Sequence, residues 1–572
     1  MFLRQSFNKK TGRTYLQIVH GYRDPQGKSK TKVHKNIGYL DVLEKEYDDP
    51  IAHFKDLAEQ MDAERQENKY INLKVKEDET IDRGSVNRKN YGHIVFSKIY
   101  HELELDRFFK NKQRHMKFKF DSNSIMKVLI FARLLYPCSK KKTVEIKDRF
   151  FDKADFTLDD VYDSLTHFSK HANDTQRFIH ERIAERYGRD TDLLYYDVTN
   201  YYFETDRQDG FRMNGFSKEH RRDPIVQMGL AIDRMGIPLA YQLFKGNTHD
   251  SQTLMPALAN IKKEYGTGRI IVVADKGLNS GDNIAFNTVL GDGYVYSQSV
   301  RNASDLFKAY VLSEEGYVQI GDDYKRKSRI QPVEISVSVG DGKKKRKKKV
   351  SLDQKQVVFY SRKYAERAKH QRQEMIKKAL DLIKNPSKYR KATAYGAASY
   401  VANLSFDKNT GEILETGKTR YLDMDKIREE EKLDGYYAIV TSELDESDDR
   451  IIDIYRGLWR IEESFKITKS FLGARPVYVY TKEHINAHFL ICFISLVIAR
   501  LVEIRLKNRY PIHRIISSLR SVSCSHLDAN HYLFDYADEI TDDLDAEFKV
   551  GFGKKYMTLG EIKKNFGLVK KG

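Results

Sequence analysis

Cysteine is nearly missing from this 572-residue sequence: Cys138, Cys492 and Cys524 are the three, far apart and odd in number. They form neither a disulfide framework nor the paired spacing of a zinc site, which excludes disulfide-stapled folds and suits a reducing cytosol. Clustered histidines are missing as well. His484 and His488 stand four apart, but the segment between them has no glutamate of a zinc-protease helix, so the pair reads as helix-surface or packing histidines. No apolar run reaches the roughly 20 residues of a membrane span. The longest, Ala487–Ala499, contains His488 and Ser495 and reads as a buried helix. The opening Met1-Phe-Leu-Arg-Gln-Ser has no apolar stretch of a secretory signal. The expected location is the cytoplasm, with no membrane partner. Tryptophan occurs once, at Trp459.

Positive charge is abundant: 100 Lys and Arg against 82 Asp and Glu leave +18. Such a surplus attracts polyanions, of which nucleic acid is the commonest. Hydrophobic residues at 40% and aromatics at 12% are enough for globular cores and exclude a disordered chain. The length implies about three or four packed units.

Residues 1–40 alternate like strands around the turns Asn8–Gly12 and Asp24–Gly27, with nine Lys and Arg against the single acid Asp24. A basic β-sheet of this kind can clamp a DNA backbone, although edge lysines also serve to prevent aggregation. Residues 46–90 read as a helical linker. From 91 to 190 the period is that of helices (Ile94, Ile99, Leu103; Ile125, Leu129, Ala132, Leu135), stopped by Pro137 and followed by Ser139-Lys-Lys-Lys142. That lysine run suits either a helical DNA-binding domain or a solvated helix end.

A different rhythm begins at 191. Strands are expected at Leu193–Val198, Ile225–Ile232, Ile237–Phe244, Arg269–Asp275 and Tyr294–Val300, with helices over Gln252–Tyr265 and near 281–290. Three strands, helix, strand, helix, strand is the order of a ribonuclease-H-like α/β core. Residues 301–445 interrupt it as a β-rich insertion domain. They carry strands near Val333–Val339 and Val357–Tyr360, a basic helix near 364–384, and the cationic run Lys343–Lys349, read as a solvated loop open to phosphate contact. The core resumes over 446–510, and 511–572 is expected to be a C-terminal helical region.

Asp197 and Asp275 each close an apolar strand. A carboxylate there is costly to bury unless paired or bound to a cation, and strand C-terminal ends are where open α/β sheets place ligands. Either acid could instead cap the next turn. The third acid is Glu462. Tyr455, Glu462 and Lys469 are seven apart, nearly two helical turns, and line one face of a single helix from Asp449 to Lys469. Such a face can complete a metal site with Glu462 and neutralise phosphate with Lys469; an exposed ion-pair helix built on Arg460 and Glu463 is the rival reading. Three carboxylates suffice for two Mg²⁺ ions about 3.5–4 Å apart, the arrangement that drives phosphodiester cleavage.

The segments Tyr196-Asp197-Val-Thr199, Gly215–Asp223, Gly246-Asn-Thr-His-Asp250, Ala274-Asp275-Lys-Gly277, Tyr455–Lys469 and Ala474–Tyr478 follow one another in a characteristic order. In them the sequence resembles bacterial insertion-sequence transposases with a DDE triad, in the branch marked by a Tyr-Arg-Glu-Lys signature. The resemblance implies metal binding by Asp197, Asp275 and Glu462, with Mn²⁺ able to substitute for Mg²⁺, and phosphate contact by Tyr455 and Lys469. Lys218, His220, Arg221, Arg222, Lys276 and Arg460 are further candidates for DNA contact. Leu458 stands where the signature has arginine, and Trp459 reads as a core residue. The implied activity is cut-and-paste transposition on double-stranded DNA, at terminal inverted repeats and a target site, by a homodimer. A metal-dependent nuclease on the same fold, or an inactive DNA-binding relative, is the alternative.

Overall fold

In a computed structural model the chain forms two compact units, Met1–Arg83 with Leu527–Ala529, and Gly84–His526 with Asn530–Gly572. The residues described are 1–572 except 24–28, 68–77, 79, 81–82, 115, 219–221, 341–345, 386–395, 407–412, 415–418, 528–529 and 572.

The first unit is an antiparallel sheet of β1 (Phe2–Asn8), β2 (Arg13–Arg23) and β3 (Ser29–Tyr39), in that order. Helix α1 (Pro50–Glu67) buries Phe54 against Leu16 and Leu43, so residues 50–67 are part of the unit's core rather than a linker. Their weak apolar periodicity conceals this, because the buried face is short: Phe54 and Ala58, with Leu57 partly buried beside them.

The second unit is built on a nine-stranded sheet. Its core strands are β4 (Leu193–Tyr202), β5 (Ile225–Asp233), β6 (Pro238–Lys245), β7 (Ile271–Ala274) and β8 (Gly293–Gln298). Helix α2 (Leu254–Tyr265) joins β6 to β7, and α3 (Gly281–Val289) joins β7 to β8. β4 pairs antiparallel with β5 and parallel with β7, and β8 adds parallel to β7, giving the order β6-β5-β4-β7-β8. This is the ribonuclease-H-like core expected from the strand and helix order.

Residues 301–445 do not stand apart from it. β9 (Val318–Gln319), β10 (Tyr324–Val339), β11 (Arg346–Ser361) and β12 (Tyr436–Thr441) extend the same sheet beyond β8, in the order β9-β10-β11-β12-β8, all antiparallel. The cationic run is correspondingly no simple loop: Arg346–Lys349 pair with Ser336–Val339, while Lys343–Lys345 fall outside the described residues.

Successive side chains of a strand point to opposite faces, and both faces here are covered. Tyr195, Met228, Leu230 and Val273 pack into a core with the helices of 93–187 and 482–569, while Leu194, Tyr196, Val272 and Tyr296 pack under α2 and α3. The helical stretch 91–190 therefore shares this sheet's core. The C-terminal stretch is also not purely helical: Ser523–His526, His531–Phe534 and Tyr556–Thr558 form a four-stranded sheet with Arg88–Asn90. At the centre runs Lys482–Arg505, a largely apolar helix long enough to cross a membrane, yet 94% of its most apolar stretch is buried inside the protein. Truncating Leu490, fully buried in that helix, to alanine is expected to lower the unfolding free energy by about 2–5 kcal/mol, as read by urea denaturation.

Candidate active site

Asp197 sits inside a strand rather than at its end. β4 runs on to Tyr202, paired with β5 throughout, with Asp197 opposite Leu230. On its other side the pairing with β7 stops at Tyr195–Val273. The sheet thus opens on one side of Asp197, and Asp275, the residue after β7 ends at Ala274, stands at that opening. The apolar run fixed the start of the strand, whereas its tail, Thr199-Asn-Tyr-Tyr202, is too mixed to read locally.

The third acid comes from α5 (Trp459–Lys466), in whose first turn Glu462 lies. The helix expected from Asp449 to Lys469 is broken into α4 (Asp448–Arg456), a turn at Gly457-Leu458, α5, and a wide π-type turn over Ile467–Phe471. A Cβ at Gly457 would run into the Tyr195 hydroxyl, so glycine is what lets the chain pass this close to β4. Ile461 and Phe465, four apart, face the core. Arg500 of the central helix fastens α5 through Glu463 at 2.9 Å and the Ser464 hydroxyl at 3.1 Å. Glu463 is thereby a structural tie, and Glu462, one position earlier, is turned outward.

Asp197, Asp275 and Glu462 line one pocket of about 340 Å³, together with Lys218, Gly277, Leu278, Phe465 and a fourth carboxylate, Asp250. Ser297 Oγ donates to Asp275 Oδ1 at 2.7 Å, and the Tyr455 hydroxyl donates to the same oxygen at 3.4 Å. The Val198 amide donates to Asp197 at 2.7 Å, and Lys218 Nζ donates to the Val198 carbonyl at 2.6 Å. Burial, reinforced by the charges of Asp275 and Asp250, pushes the Asp197 carboxyl up to about 6 against the pull of Lys218. Burial raises Asp250 as well, and raises the Tyr455 phenol, which stays protonated and a donor.

Among the described residues no three His, Cys, Asp or Glu side chains are already drawn close enough to hold an ion. The chemistry of the set nonetheless fits a hard divalent cation: its candidate ligand atoms are carboxylate oxygens only, and burial makes the ionised form of one of them, Asp197, costly without a cation beside it.

The other sequence candidates scatter. Lys276 and Arg222 are exposed, whereas His220 and Arg221 lie outside the described residues. Lys469 stands 5.7 Å from the Tyr201 ring centre. Leu458 is buried, and Arg456 pairs with Asp453 at 3.5 Å. Arg460 lines a different pocket, with Arg234 and Glu503, and stacks on Trp459. Trp459 itself is 54% exposed instead of core, because α5 spends its apolar face on Ile461 and Phe465. Asp250 and Ser297 were missed. Asp250 opens a short helical turn five residues beyond the end of β6 at Lys245, so the rule of an acid closing an apolar strand does not reach it; a serine within a strand gives no such signal either.

Folding raises the pKa of Asp197 above its ordinary 3.8, so its ionised form destabilises the protein, and stability is lost as pH rises through about 6. Asp197→Asn is therefore expected to melt above wild type at pH 8 without metal, with the gain gone at pH 4. A thermal scan at both values checks it.

The sequence matches the family model of the transposase DDE domain over residues 188–498, more than half of the chain, and that of the IS1634 family transposase N-terminal domain over residues 3–75. No curated protein matches it. Among solved structures it is similar to a piggyBac transposase synaptic complex with hairpin DNA, at 6% identity over 84% of each chain with a TM-score of 0.34. It is also similar to a Mos1 transposase paired-end complex with left transposon end, at 9% identity over 42% of this chain and 66% of that one, with a TM-score of 0.14. At these scores the likeness adds nothing to the family matches.

Proposed function

Since the chain belongs to the DDE transposases of insertion sequences, we propose that it binds the terminal inverted repeats of its own element, cleaves there by metal-dependent phosphoryl transfer, and joins the freed 3′-hydroxyls to target DNA. The observation that supports this most is the single pocket shared by Asp197, Asp275 and Glu462. These three would hold two Mg²⁺ ions, with Mn²⁺ able to replace them, and Asp250 adds a fourth negative charge beside them. Bound divalent ions supply an activated oxygen nucleophile and offset charge on the leaving oxygen.

The chain's own residues do the positioning. Ser297 and Tyr455 hold the Asp275 carboxylate in one orientation, which is how outer partners tune a metal ligand. Lys218, tethered to the Val198 carbonyl, sets a positive charge at the pocket where an anionic phosphate enters. Lys276, Arg222 and Lys469, with His220 and Arg221, are assigned to the DNA backbone, and Tyr455 takes part through Asp275. Two ends must be cut together, so the working form is a homodimer on DNA, acting at the nucleoid.

Two tests follow from this division of labour. Asp275→Asn and Glu462→Gln are each expected to lower Mg²⁺-dependent cleavage of an end-bearing duplex by more than ~100-fold, whereas Ser297→Ala and Tyr455→Phe cost roughly 10–100-fold, the range for outer partners. Full cleavage by Glu462→Gln, with binding intact, would remove Glu462 from the site. Incubation of a precut end bearing a free 3′-hydroxyl with target DNA is expected to give joined products; hydrolysis without joining would make the protein a nuclease.

A further inference from the structure

A second cavity carries the opposite charge. About 550 Å³ in volume, it is walled by Arg133 and Pro137–Lys140 on one side and by Gly473–Val479 on the other, with His488 between. Lys140 is 5% exposed, and its amine sits 3.4 Å from His488 Nδ1. His488 Nε2 faces the Ala474 carbonyl at 3.1 Å, which assigns the proton to Nε2 and leaves Nδ1 as an acceptor. Arg133 is also 5% exposed. Its guanidinium donates to the carbonyls of Leu472 at 3.0 Å, Gly473 at 3.1 Å and Cys138 at 3.2 Å, and its Nε is buried without a partner.

No carboxylate lines this cavity. The contrast with the rest of the molecule is plain. Buried Lys127, Arg212, Lys355, Arg372 and Arg500 each have an Asp or Glu within ion-pair distance. Buried Lys327 is satisfied by the carbonyls of Ser313 and Glu315 and by two tyrosine rings. Among the described residues, buried Arg133 is met by backbone carbonyls and buried Lys140 by His488 Nδ1, neither has an acid within ion-pair distance, and unlike Lys327 the two share one cavity. A buried cation without a counter-charge is costly. Lys140 shows that cost: burial and the neighbouring Arg133 push its amine down to about 7. A cavity built this way lacks an anion.

Its position says which anion. The wall Gly473–Val479 follows directly from the segment that carries Glu462, and the Val477 amide donates to the carbonyl of Tyr202, the last residue of the Asp197 strand, at 3.1 Å. Tyr478, another lining residue, is 54% exposed and offers an aromatic face beside it. We propose that this cavity is a binding site for a phosphate group of DNA, held by Lys140 within the field of Arg133, with Tyr478 packing on the adjoining sugar or base. It is separate from the carboxylate pocket and shares no lining residue with it.

Lys140→Met removes the charge and keeps the stem. Without DNA the variant is expected to melt above wild type, since an uncompensated buried charge is gone; a lysine serving only structure would give the reverse. Duplex affinity, measured without divalent metal so that the carboxylate assignment plays no part, is expected to fall about five- to tenfold at ~0.1 M salt, with the slope of log K against log salt shrinking by about 0.9, one phosphate contact. Lys140→Gln serves as the second variant if the methionine protein does not fold. Unchanged affinity and slope in a folded variant would overturn the proposal. So would a wild-type melting temperature that rises with inorganic phosphate at constant ionic strength while the variant's duplex affinity is unchanged, because the cavity would then take the free ion rather than DNA.

Discussion

Four carboxylates of one protein cannot crowd a single pocket without something to offset them, and the catalytic half of this molecule is arranged around that constraint. Asp197, Asp250, Asp275 and Glu462 come from four separate elements and meet where the sheet opens beside β4. Burial first, and then the like charges of Asp275 and Asp250, raise the proton affinity of Asp197. The protein supplies one lysine to the pocket, well short of neutrality. The arrangement makes sense as a receptor for divalent cations and, with them, for the phosphodiester of DNA, which is the chemistry of the family to which the chain belongs.

Everything beneath the pocket serves to hold those acids against their repulsion. β4 is covered on both faces, so Asp197 is fixed by the sheet itself. Glu462 depends on a longer chain of contacts: glycine at 457 to approach Tyr195, Ile461 and Phe465 in the core, and Arg500 reaching from the buried central helix to Glu463. The central helix is thus part of the active site's foundation although no atom of it lines the pocket. The cationic cavity beside His488 rests on the same helix, so one buried element steadies sites of opposite charge.

The core strands were legible in the sequence because each is an apolar run bounded by turns, and their order alone specified the sheet. Asp197 and Asp275 were legible for the same reason: an acid after such a run stands out. What escaped were features that local pattern does not encode. Edge pairing that joins the 301–445 strands to β8 depends on partners far away in the chain. Helical periodicity in 91–190 marks an apolar face but not what that face packs against. A seven-residue spacing implied one straight helix from Tyr455 to Lys469, yet Gly457 and the wide turn after Lys466 divide it. Trp459 reads as core by composition, and only the competing Ile461 and Phe465 turn it outward.

The most direct measurement is the location of Mn²⁺ by anomalous scattering in crystals of the protein with an end-bearing duplex. The expected result is density for the ion with oxygens of Asp197, Asp275 and Glu462 within ligand distance, roughly 2 Å for a hard divalent cation of this size. Ions bound elsewhere, or a Glu462 that remains remote from an ion held by the two aspartates, would contradict it.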